Sequence, residues 1–250
     1  MLIKRKFLGL LLLTTLLAVP MVLLSRSKTE AIGQRNKGAD QEPIVEYGIS
    51  QANDVKRQAK GRRYDKPKNG PISELPPGVE ELPLNSHWWQ GIPVLPISES
   101  TTIVVGDVVD GKAYLSNDGS GIYSEFAVRV EQVLKDTNPI TLNPGETIAA
   151  ERMGGAVRFP SGKVQRYRIS RQGMPQVNER YVFFLKCNGE DHDIITGYQL
   201  KDGKVRPLDG SDTSDGENGL QFGKYDGIAE YSFLSELQEA IYSSLRKERK

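Results

Sequence analysis

Six cations, Arg152, Arg158, Lys163, Arg166, Arg168 and Arg171, fall within one stretch, 152–171, that contains no acid. On a strand Arg166 and Arg168 share a face, while Tyr167 and Ile169 take the other. Two aligned guanidiniums can grip phosphate, sulfate or carboxylate bidentately. Arg158, Lys163, Arg166, Arg168 and Arg171 are therefore the expected ligand contacts, for an anionic glycan or a lipid headgroup. The competing reading is a solvated outer face, balanced across strands by Glu125, Glu131 or Glu151.

Other constellations carry less. Trp88 and Trp89 are adjacent and are the only tryptophans. They form either an exposed aromatic platform for a partner protein or glycan, or a segment laid across the following domain with one indole buried. Glu190, Asp191, His192 and Asp193 are consecutive, so alternate side chains splay apart, and they fall where a hairpin loop is expected. Asp209–Gly219 holds four acids and no base. An EF-hand frame with Gly216 at its sixth position puts Phe222 where the bidentate glutamate belongs, so a flexible acidic loop is expected. His87 and His192 are far apart, and the single Cys187 excludes an internal disulfide or a CxxC site. There is no P-loop, GxGxxG, HExxH or GxSxG motif. Neither a cofactor nor a metal is expected, and Cys187 reads as an inert, partly buried thiol.

The elements that must position these residues begin near Thr101. Tyr123–Leu134 alternates cleanly, with Phe126, Val128 and Val130 on one face and Glu125, Arg129 and Glu131 on the other. Thr101–Val109, Thr147–Met153, Ala156–Phe159, Val164–Ser170, Arg180–Cys187, Ile194–Leu200 and Lys204–Leu208 complete a set of strands punctuated by Gly and Pro turns. Val182 and Phe184 are expected to point inward with Phe126, Val128 and Val130. In Ser232–Arg249, Phe233, Leu237, Ile241 and Leu245 recur every fourth residue, which predicts one amphipathic helix over 232–249. Its stripe should pack on the mouth or open edge of a barrel. The fold class read from this pattern is mainly β: a small antiparallel barrel or sandwich over 101–250, with a C-terminal helix.

Before it lie two different textures. Lys4, Arg5 and Lys6 precede Phe7–Leu24, a run of 18 residues without a charge. As a helix it would be about 27 Å long, close to the hydrocarbon thickness of a bilayer. Residues 1–24 therefore read as a signal anchor or signal peptide, with the following chain exported. Cleavage within residues 1–31 would give a secreted domain, and retention a membrane-anchored one. Residues 25–100 are basic and proline-rich: 51–68 hold seven cations against two acids, and 67–96 hold seven of the fourteen prolines. They are expected to form an extended or disordered linker.

Whole-chain charge adds an exclusion. Thirty-three basic against thirty-two acidic side chains leave a formal +1, so no field argues for nucleic acid. The halves differ: 1–100 carry 14 basic and 10 acidic residues, 101–250 carry 19 and 22.

The chain also shows Tyr123-Ser124-Glu125-Phe126-x-Val128-x-Val130-x-x-Val133-Leu134-Lys135, then Gly145-Glu146-x-Ile148, Gly154-Gly155, and Asn178-Glu179-Arg180-Tyr181 before an apolar strand. Over roughly residues 101–208 this is similar to an uncharacterised β-domain of exported bacterial proteins, an OB-like or netrin-like small barrel. The resemblance implies the barrel and supplies no catalytic residue. The function expected from all this is a non-enzymatic β-domain, membrane-tethered or secreted, that binds an extracytoplasmic partner or anionic surface. The alternative is an exported hydrolase of envelope polymers with a loop-assembled site. A cleft gathering two or more of Glu125, Asp191, His192 and Asp193 would favour that enzyme.

Overall fold

Val, Ile and Phe alternating with polar residues place most of the chain after Thr101 in strands, in a computed structural model that describes residues 42–48, 54–76, 81–84, 91–189, 191–210 and 220–248. The chain separates into two units, Met1–Lys37 and Gly38–Lys250. The expected membrane segment Phe7–Leu24 and the Trp88–Trp89 pair lie outside the described residues. Among those described, no helix is long and apolar enough to cross a membrane.

Among the described residues, ten strands and three α-helices follow one another: β1 (Ile44–Glu46), α1 (Val55–Arg63), β2 (Glu81–Leu84), β3 (Thr102–Leu115), β4 (Ile122–Asp136), β5 (Thr147–Met153), β6 (Gly155–Arg158), β7 (Val164–Ile169), β8 (Arg180–Asn188), β9 (Asp191–Lys201), β10 (Lys204–Pro207), α2 (Leu220–Gly223) and α3 (Glu230–Glu248). The larger sheet runs β10-β9-β5-β4-β3-β8, and β8 also pairs with β9, so β3-β4-β5-β9-β8 closes on itself. Most of these pairings are antiparallel, and the junction between β5 and β9 is parallel. Inside the ring, Val104, Val108, Phe126, Val128, Val130, Phe183 and Leu185 form one core.

The strand β8 is apolar on both faces, and this decides where α3 sits. Val182 and Phe184 are fully buried, but on the side opposite Phe126, Val128 and Val130. They join Ile103, Val105, Tyr198 and Leu200 in a second core against Phe233, Leu237 and Ile241 of α3. The expected inward set therefore divides between two faces. The helix covers an outer wall of the ring and not its mouth, because a strand apolar on both faces needs cover on both.

A smaller sheet, ordered β1-β6-β7-β2, corrects the reading of 25–100 as an extended linker. The antiparallel hairpin β6–β7 takes β1 in parallel on one edge and β2 in parallel on the other. A lone hairpin is marginal in water, and its two edges offer unpaired backbone groups. Residues before Ile97 fill both edges, so part of the basic, proline-rich stretch is held by main-chain hydrogen bonds that composition does not reveal. Val45 and Ile72 from this segment complete a third core with Ile122, Val157, Phe159 and Tyr167.

Between its two strands the segment forms α1. Asp54 caps the helix, its carboxylate accepting from the amides of Lys56 and Arg57. Gly61 allows the helix to lie directly on the β3–β4 turn, since a Cβ there would overlap the Asn117 side chain. Gly121 does the same from the other side, beneath the Tyr64 carbonyl.

Candidate functional site

Arg166 and Arg168 do share one face of the β6–β7 hairpin, as alternation requires, and the register brings Arg158 of the neighbouring strand to the same face. The register sets Ala156 opposite Arg166 and Arg158 opposite Val164, while Val157 and Gln165 face the core. Arg166, Arg168 and Arg158 keep 40%, 38% and 45% of their side-chain surface. Their counter-charges come from the preceding segment and not from Glu125, Glu131 or Glu151. Arg166 Nε lies 3.3 Å from Glu42, and Arg168 donates from Nε and Nη2 at 3.1 and 3.0 Å to the two oxygens of the same carboxylate. Arg158 pairs with the exposed Glu46 at 2.6 Å. Lys163 Nζ rests on the carbonyls of Leu75 and Pro76 at 2.8 and 3.1 Å. Arg171 stands apart at a turn with φ of 63°, its carbonyl accepting from Gly210. Among the described side chains, the four cations of the hairpin thus share two carboxylates, Glu42 and Glu46.

Arg152, the first cation of the basic stretch, is not on this face at all. It is fully buried, and its two terminal nitrogens donate to Asp209 at 2.7 and 2.8 Å. Asp209 also accepts from Thr196 Oγ1 and the Gly173 amide, at 2.7 and 2.9 Å. The first residue of the expected acidic loop is therefore a buried anchor, while 211–219 lie outside the described residues. A lone Arg and a lone Asp 57 positions apart carry no sequence signal of pairing.

The acids of the enzyme alternative do gather, but under a cation. The β4–β5 register sets Glu125 opposite Glu151, and β5 and β9 bring in Asp191. Lys60 of α1 is buried among them, its Nζ 2.7 Å from Glu125, 2.9 Å from Glu151 and 2.6 Å from Asp191. Arg63 Nη2 adds contacts to Glu151 and Asp191 at 3.0 and 3.4 Å, Arg57 pairs with Glu125, and Tyr64 donates to Glu151 at 2.9 Å. Burial acts to lower the Lys60 pKa, but hydrogen bonds to Asp191, Glu125 and Glu151 reverse it and raise it. At Glu151 burial prevails over Lys60 and pushes the carboxyl up. At Asp191 burial is outweighed by Lys60, and the carboxyl is held below its ordinary range.

The segment Asp191–Asp193 begins strand β9 and does not form a loop, because the β8–β9 ladder continues to Asn188↔Asp191. His192 stands opposite Cys187 there. Burial lowers its pKa despite a hydrogen bond to the Ala149 backbone, and its Nδ1 is buried without a partner. Cys187 is a half-buried free thiol whose Sγ lies 3.2 Å from the Gly189 carbonyl. Among the described residues, no group of three or more His, Cys, Asp and Glu side chains could hold a metal ion.

Sequence reasoning missed Lys60, Arg63, Glu42 and Asp209, because each matters only through a partner distant in the chain. One signal was present: Arg57, Lys60 and Arg63 recur at three-residue spacing, which sets them along one side of a helix. Set against known proteins, the chain matches no family model and no curated sequence.

Proposed function

We propose that this protein is a non-enzymatic binding domain whose β6–β7 face meets an anionic surface, a glycan or a lipid headgroup layer, outside the cytoplasm. The observation that carries this reading is the row of half-exposed Arg158, Arg166 and Arg168, with Lys163 beside it, whose carboxylate partners among the described side chains are Glu42 and Glu46. Excess charge on one sheet face attracts a polyanion without a deep pocket. The closed five-strand ring supports an OB-like barrel, an architecture that serves as a binding platform. The N-terminal cations and the uncharged run Phe7–Leu24 support export, with the domain tethered if that run is retained and secreted if it is cleaved. The hydrolase reading draws no support from the acid cluster: Lys60 fills the space between the carboxylates that would otherwise act on a substrate.

The test must leave Glu42 paired. Its side chain is 3% exposed, so removing both Arg166 and Arg168 would strand a buried carboxylate and unsettle the fold. Arg158→Gln with Lys163→Gln removes charge from groups whose partners are an exposed carboxylate and two carbonyls. Binding of the full chain to anionic vesicles, or to a sulfated glycan, is expected to weaken several-fold. The loss should be largest at low salt and fade as the Debye length falls to ~8 Å. Glu46→Gln should act in the opposite direction and tighten binding. Equal binding by wild type and both variants at every salt concentration would remove this face from the function.

A further inference from the structure

A cavity of about 180 Å³ lies where the segment after α1 crosses the strands, between Lys66–Leu75 and the ends of β4, β5 and β7. Its walls are mainly hydrocarbon and ring: Ile72, Ile122, Met153 and Tyr167, of which Ile72, Ile122 and Tyr167 are 8%, 2% and 5% exposed. The polar atoms around it are largely spent within the fold. The Ser120 hydroxyl accepts from the Lys66 amide and donates to Asp118, and the Tyr167 hydroxyl lies 3.4 Å from the Ser73 carbonyl. Burial pushes that phenol up to about 12, so it remains a neutral donor.

Lys66 is a charged exception. It lines the cavity and is half-buried, yet its ammonium meets no carboxylate and no acceptor among the described residues. Other sequestered cations are provided for: Lys60 and Arg152 by carboxylates, Lys135 and Lys163 by carbonyls. Burial alone acts on Lys66 and lowers its pKa, with no opposing charge. A desolvated ammonium without a partner is costly, and an anion brought to it recovers that cost.

We propose that this cavity binds a small monocarboxylate, its hydrocarbon end among Ile72, Ile122 and Met153 and its carboxylate on the Lys66 ammonium. One ammonium matches one negative charge, whereas a phosphate dianion would remain half-compensated between apolar walls. The space is small beside the ~300–1,000 Å³ of pockets that take drug-sized ligands, which suits a short-chain acid. The proposal does not rest on the binding reading of the β6–β7 face, although Leu75 borders the cavity and its carbonyl also accepts from Lys163.

Butyrate and its neutral isostere butyramide are the probes, followed by ligand-observed saturation-transfer NMR against the full chain. Butyrate is expected to bind saturably and at least tenfold more tightly than butyramide. Its binding should weaken as pH rises through the lowered Lys66 pKa, because the ammonium is then lost. Lys66→Met should abolish the preference for acid over amide, while Lys68→Met, at the exposed neighbouring lysine, should leave it intact. Equal binding of acid and amide to wild type, no saturable butyrate signal, or an unchanged preference in Lys66→Met would each overturn the proposal.

Discussion

Lys60 holds together three carboxylates that would otherwise repel one another from neighbouring strands. Glu151 is fully buried at its side chain and Asp191 is 10% exposed, so neither can turn to solvent if the ammonium is removed. Lys60→Met keeps the length of the stem and deletes the charge. It should destabilise by about 3 kcal/mol, the lower end of the cost of breaking a buried pair, because Arg57 and Arg63 still neutralise part of the acid charge. Denaturant unfolding should show a lowered midpoint with an unchanged slope. His192 offers a second test. Its folded pKa lies below the unfolded value near 6.5, so the unfolded chain binds more protons between the two. That contribution is full above pH 6.5 and is lost as pH falls toward the folded pKa. The melting temperature should rise with pH through this window, and His192→Gln should flatten the rise. Asp191, held low, contributes in the same direction at more acidic pH, where it is lost as pH falls through its folded value.

At the scale of elements, α3 depends on one apolar stripe. Phe233, Leu237 and Ile241 are essentially inaccessible, while Tyr231 and Tyr242 on its outer side are 84% and 68% exposed. The stripe meets Tyr198 and Tyr225 in a cluster of tilted and edge-on rings, with Phe233 at 5.0 and 4.9 Å from their centroids. Leu237→Ala should cost about 2–5 kcal/mol through lost burial and an unfilled cavity, whereas Tyr242→Ala should cost almost nothing. Thermal melts of the two variants would separate a packed helix from one that merely lies on the surface. Glu230 adds a fixed point, pairing with Arg180 at 2.5 Å and so joining the first turn of α3 to the start of β8.

At the scale of the molecule, residues 42–76 and the strand 81–84 act as a brace around the strands that follow. They supply both edge strands of the smaller sheet, the cations over Glu125, Glu151 and Asp191, and the carboxylates opposite Arg158, Arg166 and Arg168. Removing residues 1–90 therefore exposes two hairpin edges, opens the core around Val157 and Tyr167, and leaves three clustered acids unpaired. The shortened chain is expected to aggregate or to lose hydrogen-exchange protection in β6 and β7 first, with β3, β4 and β8 more resistant. If it were as stable as the full chain, the segment would be the mere spacer that its composition suggests.

Most of each strand from Thr102 to Pro207, except β3 beyond Val109 and the start of β9, and the helix 230–248 were legible in the residues alone, because local periodicity of two or near four reports which side chains share a face. Alternation likewise placed Arg166 and Arg168 on one face before any contact was known. It could not reveal Glu42 as their shared partner, Glu46 on Arg158, Lys60 beneath three acids, or Arg152 locked to Asp209. Those pairings join residues 57 to 131 positions apart, and nothing in a local pattern records which distant charge will arrive. Nor could composition tell that the proline-rich, basic stretch would lie along sheet edges. There the stabilising bonds are main-chain ones that many side chains permit. Periodicity determined the elements; only the tertiary structure decided which charges are neutralised, which cation in a cavity lacks a partner, and which chain segment closes the sheet.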